Sequence, residues 1–101
     1  MPNEPVVHVV DDDAAIRDSL AFLLDTANLV SRTYESAAAL LAHAANLEPG
    51  CIVTDVRMPD MNGLEMVRRL TEIGVRHPVI VMTGHADVPL AIEAVRAGVK
   101  D

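Results

Sequence analysis

Four aspartates are the side chains of this 101-residue chain best placed for chemistry. Asp11-Asp12-Asp13 follow one apolar run, and Asp55 closes another. Thr83 adds a hydroxyl directly after a third such run, Val79 to Met82. If the first and third runs are neighbouring strands, Asp11, Asp12 and Asp55 converge. Two unit charges about 4 Å apart repel by roughly 4 kcal/mol at an effective dielectric near 20. Gathering three such groups requires either that one acid is protonated or that a cation sits among them. A donor set of oxygens, without imidazole or thiolate, favours a hard ion, Mg2+ before others. An EF-hand loop is excluded, because the alternating acid spacing and central glycine are absent.

Plainer roles compete for the same residues. Asp13 immediately precedes a helical pattern and suits an N-cap, and the dipole of that helix favours Asp12. Asp55 has no such explanation, since it ends a strand and lies too early to cap the helix beginning after Asn62. For Thr83 the alternatives are donation to an anionic oxygen on Asp55 and an ordinary strand-end turn bond.

The elements that must position these residues alternate in type. Val6 to Val10 reads as a strand. Ala14 to Thr26 reads as a helix, with Ile16, Leu20, Leu23 and Leu24 as its stripe. Leu29 to Tyr34 is a less apolar strand, suited to an edge. Ser36 caps a third element over Ala37 to Ala45, ending before Pro49-Gly50. Ile52 to Asp55 is a buried strand, and Arg57 to Gly63 a turn-rich loop. Leu64 to Ile73 is a helix presenting Leu64, Val67 and Leu70 on one face, stopped by Gly74. Val79 to Met82 is a fourth strand. Asp87 caps a last helix with Pro89 in its first turn, and Gly98 ends it. This β-α alternation predicts an α/β fold, a doubly wound parallel sheet with right-handed crossovers. In such sheets, sites form beyond the carboxyl ends of the strands, where Asp11 to Asp13, Asp55 and Thr83 stand.

Composition agrees. Half the residues are apolar, with Phe22 and Tyr34 the only aromatics, so the core is aliphatic and disorder is excluded. A net charge of −7 argues against nucleic-acid binding by this segment and against an anionic membrane surface. Cys51 is alone, the start Met1-Pro2-Asn3-Glu4 has no basic character, and no apolar run could span a bilayer; cytoplasm is the expected compartment. No glycine-rich nucleotide-binding motif is present.

Three stretches in this order then resemble the receiver domain of two-component response regulators: Val9-Val10-Asp11-Asp12, Asp55 to Gly63 (DVRMPDMNG), and Met82-Thr83-Gly84-His85. The second stretch and the run Thr83 to Asp87 are most similar to the FixJ-type subgroup. The resemblance covers the whole chain, 1–101. It implies a flavodoxin- or CheY-like receiver with strand order 2-1-3-4-5, the fifth strand and fifth helix lying beyond Asp101. It implies Asp55 as phosphoacceptor, Asp12 as a direct Mg2+ ligand, Asp11 acting through metal-bound water, and the Arg57 backbone carbonyl completing the metal site. Thr83 would be the hydroxyl that moves toward the phosphoryl group, and Arg57 and His85 would tune how fast water removes it, the alternative for His85 being a solvated loop histidine. The donor would be a phosphohistidine on a sensor histidine kinase, contacted by the first helix near Ala15 and Ser19. DNA would be reached only through an output domain outside this chain, so that the whole protein controls transcription.

The family's lysine has no counterpart here. Lys100 follows Ala97-Gly98-Val99 too closely to replace it and reads as a surface residue. With strand four open and Ile92 and Val95 bare, the chain is expected to dimerise, to swap elements or to be only marginally stable, the alternative being that a further segment of a longer regulator completes the fold. Two other functions remain in play. A pseudo-receiver would use the fold as an interaction module without phosphorylation. An aspartyl-nucleophile phosphohydrolase needs a second acid where Arg57 stands, and the chain is therefore not expected to be a turnover enzyme.

Overall fold

The computed structural model describes residues 5–83 and 88–100. Four strands, β1 (Val6–Val10), β2 (Val30–Tyr34), β3 (Gly50–Asp55) and β4 (Val79–Met82), alternate with helices α1 (Ala14–Thr26), α2 (Ala37–Ala42), α3 (Gly63–Glu72) and α4 (Val88–Lys100). The sheet is wholly parallel, in the order β2-β1-β3-β4. β1 is buried along its whole length because it lies between two strands and beneath helices on both faces. β2, at the edge, keeps exposed or half-exposed residues throughout, as its weaker hydrophobicity predicts.

The strand period of two separates the core into two layers. Val7, Val9, Cys51 and Val53 pack with Ile16, Leu20 and Leu24 of α1 and with Ala91 and Val95 of α4. Val10 and Ile52 pack on the other face with Ala37 and Leu40 of α2 and Met66 and Leu70 of α3. His8, fully buried on that second face, has both ring nitrogens paired. Nε2 lies 2.9 Å from the Glu48 carbonyl, which can only accept, so Nε2 carries the proton. Nδ1 therefore accepts from the Tyr34 hydroxyl at 3.0 Å. His77 donates to the same Glu48 carbonyl at 2.8 Å.

Several expectations need correction. The third element is not one helix to Ala45: α2 stops at Ala42, and a separate 3-10 turn spans Ala44–Asn46. His43 N bonds Leu40 O three residues back, tightening the chain and turning Ala44 into the core. In α3 the buried stripe is Gly63, Met66 and Leu70, while Leu64 is 58% exposed. The helix begins one residue early, capped by Asn62, and Leu64, about 100° round the axis from buried Gly63, faces outward. Leu23 is likewise outside the α1 stripe. Gly98 does not end α4, which continues to Lys100; an interior glycine costs only about 1 kcal/mol, which packing on the sheet overrides. Val95 is not bare but 1% exposed, because α4 lays it with Ala91 against β3 and β4, and Ile92 packs beside them. Gly74 behaves as predicted, adopting φ +89° just beyond the end of α3. The cap expected at Asp87 lies outside the described residues. Among those residues, no helix is long and apolar enough to cross a membrane.

Candidate metal centre

At the carboxyl edge of the sheet, β1 and β3 end side by side, with Val10 paired to Thr54. The next residue of each chain path is an aspartate, so parallel register alone brings Asp11 and Asp55 together. The carboxylates of Asp11, Asp12 and Asp55 each offer an oxygen lying within 4.8 Å of the others. Among the described residues this is the one group of acids, histidines or cysteines so arranged.

The loop after β1 is built from hydrogen bonds. Asp11 N donates to Tyr34 O at 3.2 Å, continuing the sheet. Asp11 Oδ1 accepts from Asp13 N at 2.9 Å, and Asp13 Oδ1 accepts from Ala15 N at 2.9 Å as the cap of α1. Asp13 thus takes the capping role, leaving Asp11 and Asp12 to face Asp55. Arg17, from the first turns of α1, reaches back to donate Nη1 to the Asp11 carbonyl at 2.8 Å. Asp11 is only 2% exposed. Burial raises its carboxyl above the usual range, the Asp13 amide opposes this, and the charges of Asp55, Asp12 and Asp13 push it up further. The repulsion expected from the residue pattern is therefore present, and a bound cation would relieve it.

Asp55 is half-buried at the end of β3. Its Oδ1 accepts from Arg57 N at 3.2 Å, and its carbonyl accepts from Thr54 Oγ1 at 3.1 Å. Val56 N bonds Met82 O, and Gly63 N bonds Val56 O, each at 3.0 Å, fastening the loop to β4 and α3. Gly63 lies so close to the Asp55 carbonyl and Thr54 that a Cβ there would overlap them.

Met82 is paired with Asp55 in the ladder, so Thr83, exposed, begins the loop immediately beside the acid. Arg57 is exposed, its amide on Asp55. His85 lies outside the described residues. Lys100 belongs to the far end of the molecule. α4 runs back from the carboxyl edge, so Val95 already borders a cavity with Pro5, Gly50 and Pro78 at the amino ends of the strands. The residues that inspection of the chain overlooked are Arg17 and Gly63. Arg17 carried one signal, a lone cation four residues after a capping acid. Gly63 reads from the sequence as the end of a turn-rich loop and of the DVRMPDMNG stretch, with nothing to show that it crowds Asp55.

Three carboxylates with no imidazole or thiolate fit a hard divalent cation.

Comparison with known proteins agrees with this geometry. Residues 7–101 match the response regulator receiver domain family. The chain is 54% identical over 101 residues to the transcriptional regulatory protein FixJ of Azorhizobium caulinodans, covering all of this chain and 48% of that protein. It is 41% identical over 98 residues to the response regulator protein TmoT of Ectopseudomonas mendocina, covering 97% of this chain and 44% of that protein. The chain thus spans about half the length of the curated relatives it matches. The crystal structure of FixJ-N superposes with a TM-score of 0.77 at 46% identity, covering 95% of this chain and 77% of that one. A CheY-like receiver from Methanospirillum hungatei shares the fold at 22% identity, with a TM-score of 0.72 over 92% of this chain and 77% of that one.

Proposed function

This chain belongs to the response regulator receiver domain family, and from that premise we propose that it accepts a phosphoryl group on Asp55 from a phosphohistidine of a sensor histidine kinase. A carboxylate oxygen of Asp55 attacks phosphorus, the P–N bond to the donor imidazole breaks as the O–P bond forms, and the departing nitrogen takes up a proton. The product is an acyl phosphate. Asp12, Asp55 and the Arg57 backbone carbonyl would hold Mg2+ directly, with Asp11 as the outer acid. When bound, the ion offsets the charge on the transferring oxygens.

The chain's own residues do the rest. The Arg57 amide and the Thr54–Asp55–Gly63 packing aim the nucleophile. Thr83 donates its hydroxyl to the phosphoryl group, and Arg57 and His85 govern the approach of water. The domain switches states rather than turning over substrate, acts in the cytoplasm, and passes its state to a DNA-binding output domain in a longer protein, by analogy with relatives named as transcriptional regulators.

One observation carries this reading: oxygens of Asp11, Asp12 and Asp55 lie within 4.8 Å of one another at the end of a buried strand. The test is incubation with Mg2+ and acetyl phosphate followed by intact mass. Wild type gains one phosphoryl group, and Asp55→Asn gains none. An unmodified wild type that nonetheless binds a partner kinase would establish a phosphorylation-independent interaction module instead.

A further inference from the structure

We propose that Arg17 is a positioning residue for the metal centre, holding the Asp11–Asp13 loop in the arrangement that lets three carboxylates share one ion. The inference rests on reading that centre as a Mg2+ site.

Besides the Arg17 guanidinium, backbone bonds from Asp11 N to Tyr34 O and from Arg17 N to Asp13 O fix the two ends of the loop. Carboxylate oxygens also hold it, Asp11 Oδ1 on Asp13 N and Asp13 Oδ1 on Ala15 N. The bond on Asp11 Oδ1 engages a group that is itself part of the acid cluster. A loop that must keep its shape whether or not an ion is present needs a restraint independent of those oxygens.

The Arg17 side chain supplies such a restraint at the Asp11 carbonyl, between the two backbone bonds that fix the ends. Its Nη1 donates to the Asp11 backbone carbonyl at 2.8 Å, in the range of charge-assisted bonds. Asp11 is 2% exposed, so water has little access to replace the donor. Because the guanidinium grips the backbone, it occupies no carboxylate oxygen and does not compete with the ion. It also sets a fixed positive charge at the border of the acid cluster. Arg17 donates to this carbonyl through Nη1, so the fork geometry special to arginine is not in use, and an ammonium at the end of a lysine can serve in its place. Glutamine, shorter and neutral, cannot.

The experiment is calorimetric titration of Mg2+ into the purified chain, paired with melting in chelator and in saturating Mg2+. Wild type is compared with Arg17→Ala, Arg17→Gln and Arg17→Lys. Arg76→Ala, which removes an equal charge from the exposed loop before β4, is the control. Loss of a residue that orients a ligand typically weakens metal affinity by roughly ten- to a hundredfold. That loss is expected for Ala and Gln, with Lys within about threefold of wild type and Arg76→Ala unchanged. The Mg2+-dependent rise in Tm shrinks in step, which a merely structural arginine would not cause, because such a residue lowers both melting curves equally. If Arg17→Ala does not fold, the Lys and Gln pair carries the test. Wild-type affinity in all Arg17 variants, or equal losses in Lys and Gln, overturns the inference while leaving the site reading intact. Failure of the wild type itself to bind Mg2+ overturns the site reading.

Discussion

The Asp55 carbonyl and the α-carbon of Gly63 are packed so tightly that no side chain fits between them. Thr54 closes the same space, with its Oγ1 3.0 Å and its Cγ2 3.1 Å from where a Cβ would stand. Since the Asp55 and Thr54 atoms are backbone and a fully buried side chain, neither can give way cheaply. A Gly63→Ala substitution is therefore expected to push the start of α3 away from β3 and to misplace Asp55. Overpacking of this kind costs about 1–3 kcal/mol. Urea denaturation should show that loss, and the rate of phosphorylation by acetyl phosphate should fall about tenfold, as a misaimed nucleophile implies.

Asp55→Asn should separate charge from chemistry. Without a divalent ion, removing one of three converging carboxylates relieves repulsion of order 1 kcal/mol for a half-buried group. For a domain of this size that corresponds to a Tm about 4–8 °C higher in chelator. The same variant should lose most of the further rise that Mg2+ produces in wild type. A variant melting lower than wild type in chelator would show that the acids do not strain the fold.

Buried His8, bonded to half-buried Tyr34, gives the domain a pH dependence unrelated to the acids. Burial is the main cause holding the His8 pKa below its ordinary value; the Glu48 carbonyl bond opposes it and the His77 charge adds to it. The folded state thus binds fewer protons than the unfolded state just below the ordinary histidine pKa. The contribution of His8 is complete above about pH 6.5 and is lost as pH falls from there through the lowered folded value. Denaturation between pH 8 and pH 5 should show stability falling with acidity, and His8→Gln should flatten that slope.

Tyr34→Phe leaves His8 Nδ1 buried without its donor. A loss of about 1–3 kcal/mol is expected. Chemical denaturation at pH 8, where His8 is neutral in both states, measures it directly. Loss below about 0.5 kcal/mol would mean that the Tyr34 hydroxyl is not the donor assigned.

Asn62→Ala tests the other side of the site. Asn62 Oδ1 accepts from Glu65 N at 2.8 Å and starts α3 one residue earlier than the apolar pattern predicts. About 1 kcal/mol of stability should be lost. Mg2+ affinity should hold within twofold, because the Asn62 side chain bonds the Glu65 amide and not a carboxylate of the cluster.

Much of the architecture was legible before any coordinates. The bounds of α1, Ala14 to Thr26, and the caps at Asp13 and Ser36 follow from contiguous residues, because helix periodicity and capping are local. Asp55 stood out for a similar reason: an acid ending the apolar run Ile52-Val53-Thr54 has no helix start to cap there. Interactions between segments distant in the chain were another matter. Whether Leu64 or Met66 faces the core was decided by how α3 packs against the sheet and α2, since Leu70 fits either stripe. The partners of His8 stand 26 and 40 residues away, and the crowding of Gly63 against Asp55 arises only when α3 folds back under β3. The grip of Arg17 on Asp11 spans only six residues, yet it depends on a side-chain direction that no residue pattern encodes. Local propensity thus named the acids and the elements carrying them. The parallel register of β1 and β3, which side-chain burial on both faces of the sheet decides, set the distance between those acids.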